Sequence, residues 1–431
     1  MSIEDKMTID ERWKYLRTMK KRYIKANRKE RGRLLDEMEA VTELHRKSLI
    51  RLMDGSLQRK PRRKQRGCTY GPEMDDALRV IAESLDYICA ERLTPNLVWM
   101  AEHLATHGEL EVSPLLLEQL AQISVSSVAR RLKHIRQDQP RLPGKGPERA
   151  NQATRGIPMR RIPWDEIQPG HFEVDLVHHC GPSAAGEYVH TLQMIDIATG
   201  WSERVAVLGR SYLVMKDGFC RIQARLPFPV LEVHFDNGSE FFNQHMLRFW
   251  KETCPGVQIS RSRPYYKNDN RFVEQKNSTL VRAYLGQERL DTVAQTLALN
   301  QLYDKMWLYY NFFQPVMRLT EKIMTPTEGQ VWVKRRYDQA RTPFDRVWAT
   351  PVMNQDRRDQ LAVLRDLTNP RQLRQEIYDL INYIFSLPNA LPGQTEDVYQ
   401  TLITHLSPEA LPWYLTLSTH EPVTNVQSEE G

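Results

Sequence analysis

Three acidic residues of this 431-residue chain stand where an acid is costly or unusual. Asp175 interrupts an apolar, strand-like run, "FEVDLV". Asp236 closes another in "VHFDNGSEF", where Asn237 and Gly238 permit a sharp turn. Glu274 follows 38 positions later in "SRPYYKNDNRFVEQKN". Singly, each has an ordinary explanation: an edge residue, a turn former, a solvated helical acid. Brought together they change meaning, because three converging carboxylates repel one another unless a cation neutralises them. All-oxygen ligands favour Mg²⁺ or Mn²⁺ over zinc. Two such ions about 4 Å apart activate an attacking oxygen and stabilise a leaving one in phosphodiester chemistry.

The elements needed to gather these acids are legible around them. "HFEVDLVHH", "YVHTLQMIDI" and "SERVAVLG" read as three adjacent strands, followed by helical "SYLVMKDGFCRIQARL", strand "VLEVHFDN", helical "NQHMLRFWKET" and strand "VQISRS". This order predicts a mixed five-stranded sheet with helices on both faces, its first and fourth strands parallel neighbours that bring Asp175 beside Asp236. A helix starting near Asn268 then adds Glu274. Lys267, Asn270, Arg271, Glu274, Asn277, Ser278 and Arg282 share one broad face, and Phe272, Leu280 and Tyr284 fall on the other. The cations and amides around the lone acid suit phosphates flanking a scissile bond. His178, His179, His234, Asp196 and Glu173 lie close enough in sequence to be weighed as further contacts.

Composition supports a partner of opposite charge. The net charge is +6, yet residues 1–70 hold 21 Lys and Arg against 10 Asp and Glu, so the excess of basic charge sits at the start. Residues 1–58 predict short helices whose last two resemble a helix-turn-helix, presenting Arg46, Lys47, Ser48 and Arg51 to a major groove. Residues 70–137 predict a second helical module of the same kind, with Ser124 or Ser126 at a cap and Arg130, Arg131, Lys133 and Arg136 along its exposed side. Residues 138–168 read as a basic Pro/Gly linker, 169–290 as the catalytic core, 291–418 as a mainly helical C-terminal region with an aromatic core stripe, "YDKMWLYYNFFQPV", and 419–431 as a disordered tail. Five scattered cysteines without a CxxC pair predict buried thiols rather than disulfides or zinc. No apolar run is long enough for a bilayer and the N-terminus lacks a signal layout, so a cytoplasmic location without membrane contact is expected.

"FEVDLV", "MIDIATGWSERVAVLGRS", "HFDNGSEF" and "SRPYYKNDNRFVEQKN", with "YYNFFQP" and "RRYDQARTPFDR" after them, resemble DDE transposases of bacterial insertion sequences, which share an RNase H-like core with retroviral integrases. The resemblance spans roughly residues 160–350. It implies that Asp175, Asp236 and Glu274 are the catalytic, metal-binding triad, holding two Mg²⁺ (or Mn²⁺) ions. Asn237, Gly238 and Glu240 match the turn after the second acid, and Lys276 and Asn277 match polar positions beside the third. Where many relatives read "YN..RPH", this chain has Tyr310, Asn311, Gln314, Pro315 and Val316, departing at Gln314 and Val316, and His171, His178, His179, Cys180 and His190 lack the spacing of the integrase zinc module. The implied activity is cleavage of element ends to free a 3′-OH, then its direct attack on target double-stranded DNA, by at least a dimer assembled on DNA and associated with the nucleoid. A metal-dependent nuclease and a transposase-derived, catalytically inactive DNA-binding regulator are the alternative expectations.

Overall fold

The computed structural model describes residues 7–55, 57, 70–135, 162–236, 241, 243–263, 269–327, 330–391, 394 and 396–405. Lys267, Arg136, Asn237, Gly238, Glu240, most of the expected linker and all of the expected tail lie outside these residues. The chain divides into two compact units, Met1–Thr69 and Tyr70–Gly431.

The first unit is built from α1 (Ile9–Lys25), α2 (Arg28–Thr42) and α3 (Arg46–Asp54). Thr8 and Glu11 form a reciprocal cap at the start of α1, and the Asn27 side chain accepts the Glu30 N–H at the start of α2. Glu43, in the left-handed region at φ 57°, ends α2 and turns the chain into α3 three residues later. Leu16, Met19, Tyr23, Leu34, Leu35, Met38, Leu49 and Met53, at helical spacing on the three helices, form the core.

The second unit opens with α4 (Pro72–Ser84), α5 (Ala90–Leu93), α6 (Leu97–Thr106), α7 (Pro114–Gln122) and α8 (Val125–Ile135). Ser124, not Ser126, serves the start of α8, its hydroxyl accepting the Ser127 N–H. These helices do not form a separate body: Met74, Leu78, Ile81, Met100, Leu120 and Val128 belong to one apolar cluster with residues of the sheet. Polar ties join them to the C-terminal helices as well, with the Tyr309 hydroxyl donating to the Ser84 carbonyl at 2.9 Å and the Gln314 amide to Leu85 at 2.9 Å.

The sheet comprises β1 (His171–His178), β2 (Val189–Asp196), β3 (Ser202–Leu208), β4 (Glu232–Phe235) and β5 (Gln258–Arg261), with α9 (Tyr212–Arg225) between β3 and β4 and α10 (Gln244–Thr253) between β4 and β5. The strand order is β3-β2-β1-β4-β5. β1 is antiparallel to β2 and β2 to β3, whereas β4 runs parallel to β1 and to β5. That order and set of directions is the mixed sheet expected from the alternation of elements, in the RNase H-like arrangement that the resemblance implied. On one face Phe172, Val174 and Leu176 pack with Phe219 and Ile222 of α9 and Trp250 of α10. Gly218 of α9 lets that helix approach closely, since a Cβ there would stand 3.0 Å from the Val207 side chain. The other face carries Glu173, Asp175 and Val177 under α11 (Arg271–Lys276), α12 (Ala283–Leu285) and α13 (Val293–Leu308). Asn300 of α13 ties that helix to β3 by exchanging two hydrogen bonds of 2.9 Å with the backbone of Ala206.

Three local expectations are corrected. The helix carrying Glu274 begins at Arg271, not Asn268, and widens into a π-helical turn over Asn277–Arg282 before α12. The wide turn shifts the buried set to Val273, Leu280, Val281 and Leu285, leaving Phe272 and Tyr284 partly exposed. The C-terminal region is mainly helical, with α14 (Pro343–Trp348), α15 (Gln355–Leu367) and α16 (Pro370–Ser386), but is interrupted by an antiparallel hairpin of β6 (Leu319–Thr327) and β7 (Gln330–Tyr337). Its β-branched residues alternate with others around "TEG", a period-2 signal outweighed in the sequence by the long helices on either side. The cysteines among the described residues are less buried than expected: Cys89 is exposed and Cys180, Cys220 and Cys254 are half-buried. The aromatic stripe is core, with Trp307, Tyr309, Tyr310, Phe312 and Phe313 all buried.

Candidate active site

Parallel pairing of β1 with β4 ends at Val174 opposite Phe235. One residue further on each chain segment come Asp175, still within β1, and Asp236, just past β4, close enough that the charge of Asp236 acts on Asp175. Both carboxylates are half-buried. Asp175 accepts the Leu176 N–H at 2.8 Å and the Asn277 side-chain amide at 2.6 Å. Its pKa is raised well above the usual carboxylate range, by burial first, then by the negative charge of Asp236; Glu274 adds to the rise, and the two hydrogen bonds oppose it. The three predicted acids therefore act on one electrostatic site. Among the described residues, however, no three His, Cys, Asp or Glu side chains are gathered closely enough to hold a metal ion, and Glu274 is exposed.

The donor chemistry fits a hard divalent cation: oxygen ligands only, and a half-buried carboxylate whose ionised form is disfavoured until positive charge arrives. The surrounding face is also polar. Asp175 pairs across the sheet with Gln193 of β2, and Gln193 with Arg204 of β3, so three polar side chains line up on adjacent strands. Gln193 Oε1, Arg204 Nε and Nη1, Asn277 Oδ1 and the Tyr310 hydroxyl are buried without a hydrogen-bond partner. Arg204 stacks over Tyr303 and Tyr310, with its guanidinium 5.9 and 5.8 Å from the ring centroids, and burial lowers its pKa to about 10. Such orphaned atoms are rare in interiors. Gln193 and Arg204, on the two strands next to Asp175, and Asn277, bonded to it, leave such atoms on the same face of the sheet. Sequence reasoning missed Gln193 and Arg204; the available signal was a Gln and an Arg inside otherwise apolar strands.

The other expected contacts separate into two groups. Lys47, Ser48 and Arg51 on α3, and Arg130 and Lys133 on α8, are exposed. Arg46 is half-buried in an ion pair with Asp36. Arg131 pairs with Asp75, donates to the Tyr70 carbonyl at 3.0 Å and lies over the Tyr70 ring, so it holds α8 to α4 instead of lining an open surface. Arg282 donates to the His178 carbonyl at 2.6 Å and to Gly286, fastening the π-helical turn to the end of β1. Asn270 is buried with both amide atoms unpartnered. The Arg271 guanidinium lies 4.6 Å from the Phe272 ring centroid, and the Lys276 ammonium 4.6 Å from that of Tyr310. Arg263 grips the carboxylate of Asp269 at 2.8 Å, so part of the basic character of this stretch is neutralised internally.

The remaining tempting residues are engaged in hydrogen bonds within the fold. His234 bonds Ser260 at 2.8 Å and Ser262 at 3.2 Å. His179 bonds Thr191 at 2.7 Å, and burial lowers its pKa to about 3. His178 reaches the Tyr188 hydroxyl at 3.3 Å. Asp196 accepts from Gly170 and from both the backbone and hydroxyl of Thr199, which makes it the organiser of the β2–β3 turn. Glu173 accepts two backbone N–H groups of α11.

No family model matches the chain. The catalytic core domain of BIV integrase, known from its crystal structure, is similar over 34% of this chain and 85% of that one, at 16% identity and a TM-score of 0.25; the fold assignment rests on strand order and direction. The uncharacterized protein y4rM of Sinorhizobium fredii (strain NBRC 101917 / NGR234) is 37% identical over 307 residues, which span 70% of this chain and 86% of that protein. At that identity and coverage, the chain belongs to the same family as y4rM.

Proposed function

We propose that the chain is a DNA transposase that binds the ends of a mobile element, cleaves them to free a 3′-OH and joins that hydroxyl to target DNA. The observation that carries this reading is the adjacency of Asp175, within β1, and Asp236, just past the parallel neighbour β4, with Glu274 acting on the same site. Asp175, Asp236 and Glu274 would hold Mg²⁺ or Mn²⁺. Bound there, two ions activate the attacking oxygen and stabilise the leaving one. Asn277 orients Asp175 through its amide, and Lys276, immediately before Asn277 and beside Tyr310, places a cation there for a phosphate of the bound strand. Exposed Lys47, Ser48 and Arg51 on α3 follow a turn from α2 in the manner of a helix-turn-helix, a surface suited to double-stranded DNA. Joining two element ends to one target requires at least two subunits on DNA.

One observation favours a second reading: the acids are not gathered to metal-holding distance among the described residues, as in a DNA-binding regulator that has lost catalysis. Incubation of full-length protein with pre-cleaved element ends, plasmid target and Mg²⁺ separates the two. Strand joining that disappears in Asp236→Asn while end binding persists supports the transposase. Equal end binding without joining in the unaltered protein supports the regulator, and cleavage without joining a nuclease.

A further inference from the structure

β1 carries two acids on one face, two residues apart, and they do different things. Asp175 belongs to the carboxylate site. Glu173, 1% exposed, turns to α11: a single oxygen, Oε2, accepts the N–H of Phe272 at 2.7 Å and of Val273 at 2.9 Å. These are the second and third residues of the helix, the donors that a capping side chain normally satisfies. The residue at the capping position, Asn270, is of the type best suited to that task, yet its side chain makes no cap bond and both its amide atoms are buried without partners. The cap is supplied from another element. The Glu173 carboxyl meets the positive end of the helix dipole; burial raises its pKa to about 8, and its two N–H bonds oppose that rise. At the far end of the same short helix, Asn277 donates to Asp175 at 2.6 Å. One strand thus grips both ends of α11, and Glu274 is the residue immediately after Val273.

We infer that Glu173 is a positioning residue: by capping α11 from β1 it sets where Glu274 stands relative to Asp175. This rests on the reading of Asp175, Asp236 and Glu274 as the catalytic acids. A residue serving stability alone would influence unfolding, whereas a positioning residue governs the helix and the reaction together. The decisive test combines amide hydrogen exchange over residues 271–276, Mn²⁺ binding followed by water-proton relaxation, and strand joining at saturating pre-cleaved ends, all on full-length protein. In Glu173→Ala, exchange at Phe272 and Val273 rises about tenfold. Mn²⁺ binding weakens, and the joining rate falls on the order of 10- to 100-fold with KM for DNA unchanged, as expected when one catalytic ligand is misplaced. Glu173→Gln keeps an acceptor oxygen and recovers most of all three. This second variant also serves if the alanine protein does not fold.

Unchanged protection of Phe272 and Val273 in a folded Glu173→Ala protein overturns the cap. Deprotection with unaltered Mn²⁺ binding and joining overturns the positioning role. Failure of the unaltered protein both to bind Mn²⁺ and to join strands defeats the reading of the site, and with it the positioning role, whatever exchange shows of the cap.

Discussion

The sheet and the N-terminal three-helix unit use charge in opposite ways. On the sheet, ionisable side chains are buried and tied down: Glu203 of β3 accepts from Trp201 at 2.8 Å, Trp307 at 2.7 Å and Arg225 at 2.7 Å, and Glu173 is fixed to two backbone amides. On α3, Lys47, Ser48 and Arg51 are exposed over a mainly apolar core of leucines, methionines, an alanine and a tyrosine. Fixed charge defines a geometry, which chemistry needs. Solvated charge supplies long-range attraction, which recognition of a polyanion needs.

The sharpest way to break this contrast is to neutralise the fixed acids. Asp175→Asn, Asp236→Asn and Glu274→Gln are each expected to lower strand joining by on the order of 10³-fold or more. Filter or mobility-shift binding to element ends should remain within a few fold; loss of binding in step with joining would show that the acids support the fold and not a reaction. Glu203→Leu comes next. Removing the partner of buried Arg225 should cost about 3–5 kcal/mol in denaturant unfolding. An unchanged midpoint would mean that Asp304, 2.8 Å from Arg225, suffices alone.

Smaller effects are expected on the N-terminal unit. Lys47→Ala and Arg51→Ala should each leave the unfolding midpoint within about 0.5 kcal/mol. Each should weaken DNA binding and reduce the slope of log K against log salt by about 0.9; an unaltered slope would mean that neither touches phosphate. Arg131→Ala should behave in reverse, losing stability through its ties to Asp75 and Tyr70 while leaving the salt slope intact.

The smallest prediction concerns the end of β1 away from Asp175. His171 lies 3.0 Å from Glu232, whose hydrogen bond raises the imidazole pKa against the effect of burial. A raised folded pKa gives stability that is fully present below the unfolded value of about 6.5 and lost as pH rises through the folded value. The stability difference between unaltered protein and His171→Asn should therefore shrink between acidic and mildly alkaline buffer. A difference that grows with pH would mean that the pair is not ionic.

The two helix-turn-helix expectations show how far patterns reach. Residues 28–54 and 114–135 share helical spacing, a polar turn and a basic second helix. The first stands in a unit with its own core, but Val128 of α8 is packed into the same cluster as the sheet, and Arg131 is committed to Asp75. Spacing says which side chains share a face; it does not say what the opposite surface is.

By itself the sequence determined the alternation of strands and helices, the parallel placement that sets Asp175 beside Asp236, and the helix that bears Glu274. Periodicity, turn residues and strand order are local or nearly local, and a side chain's face follows from them directly. Tertiary structure alone decided that Glu173 caps a helix almost 100 residues away, that Gln193 and Arg204 align with Asp175, and which arginines are held in ion pairs. Those outcomes depend on register and on which elements meet, quantities fixed by packing over the whole unit and absent from any short stretch of chain.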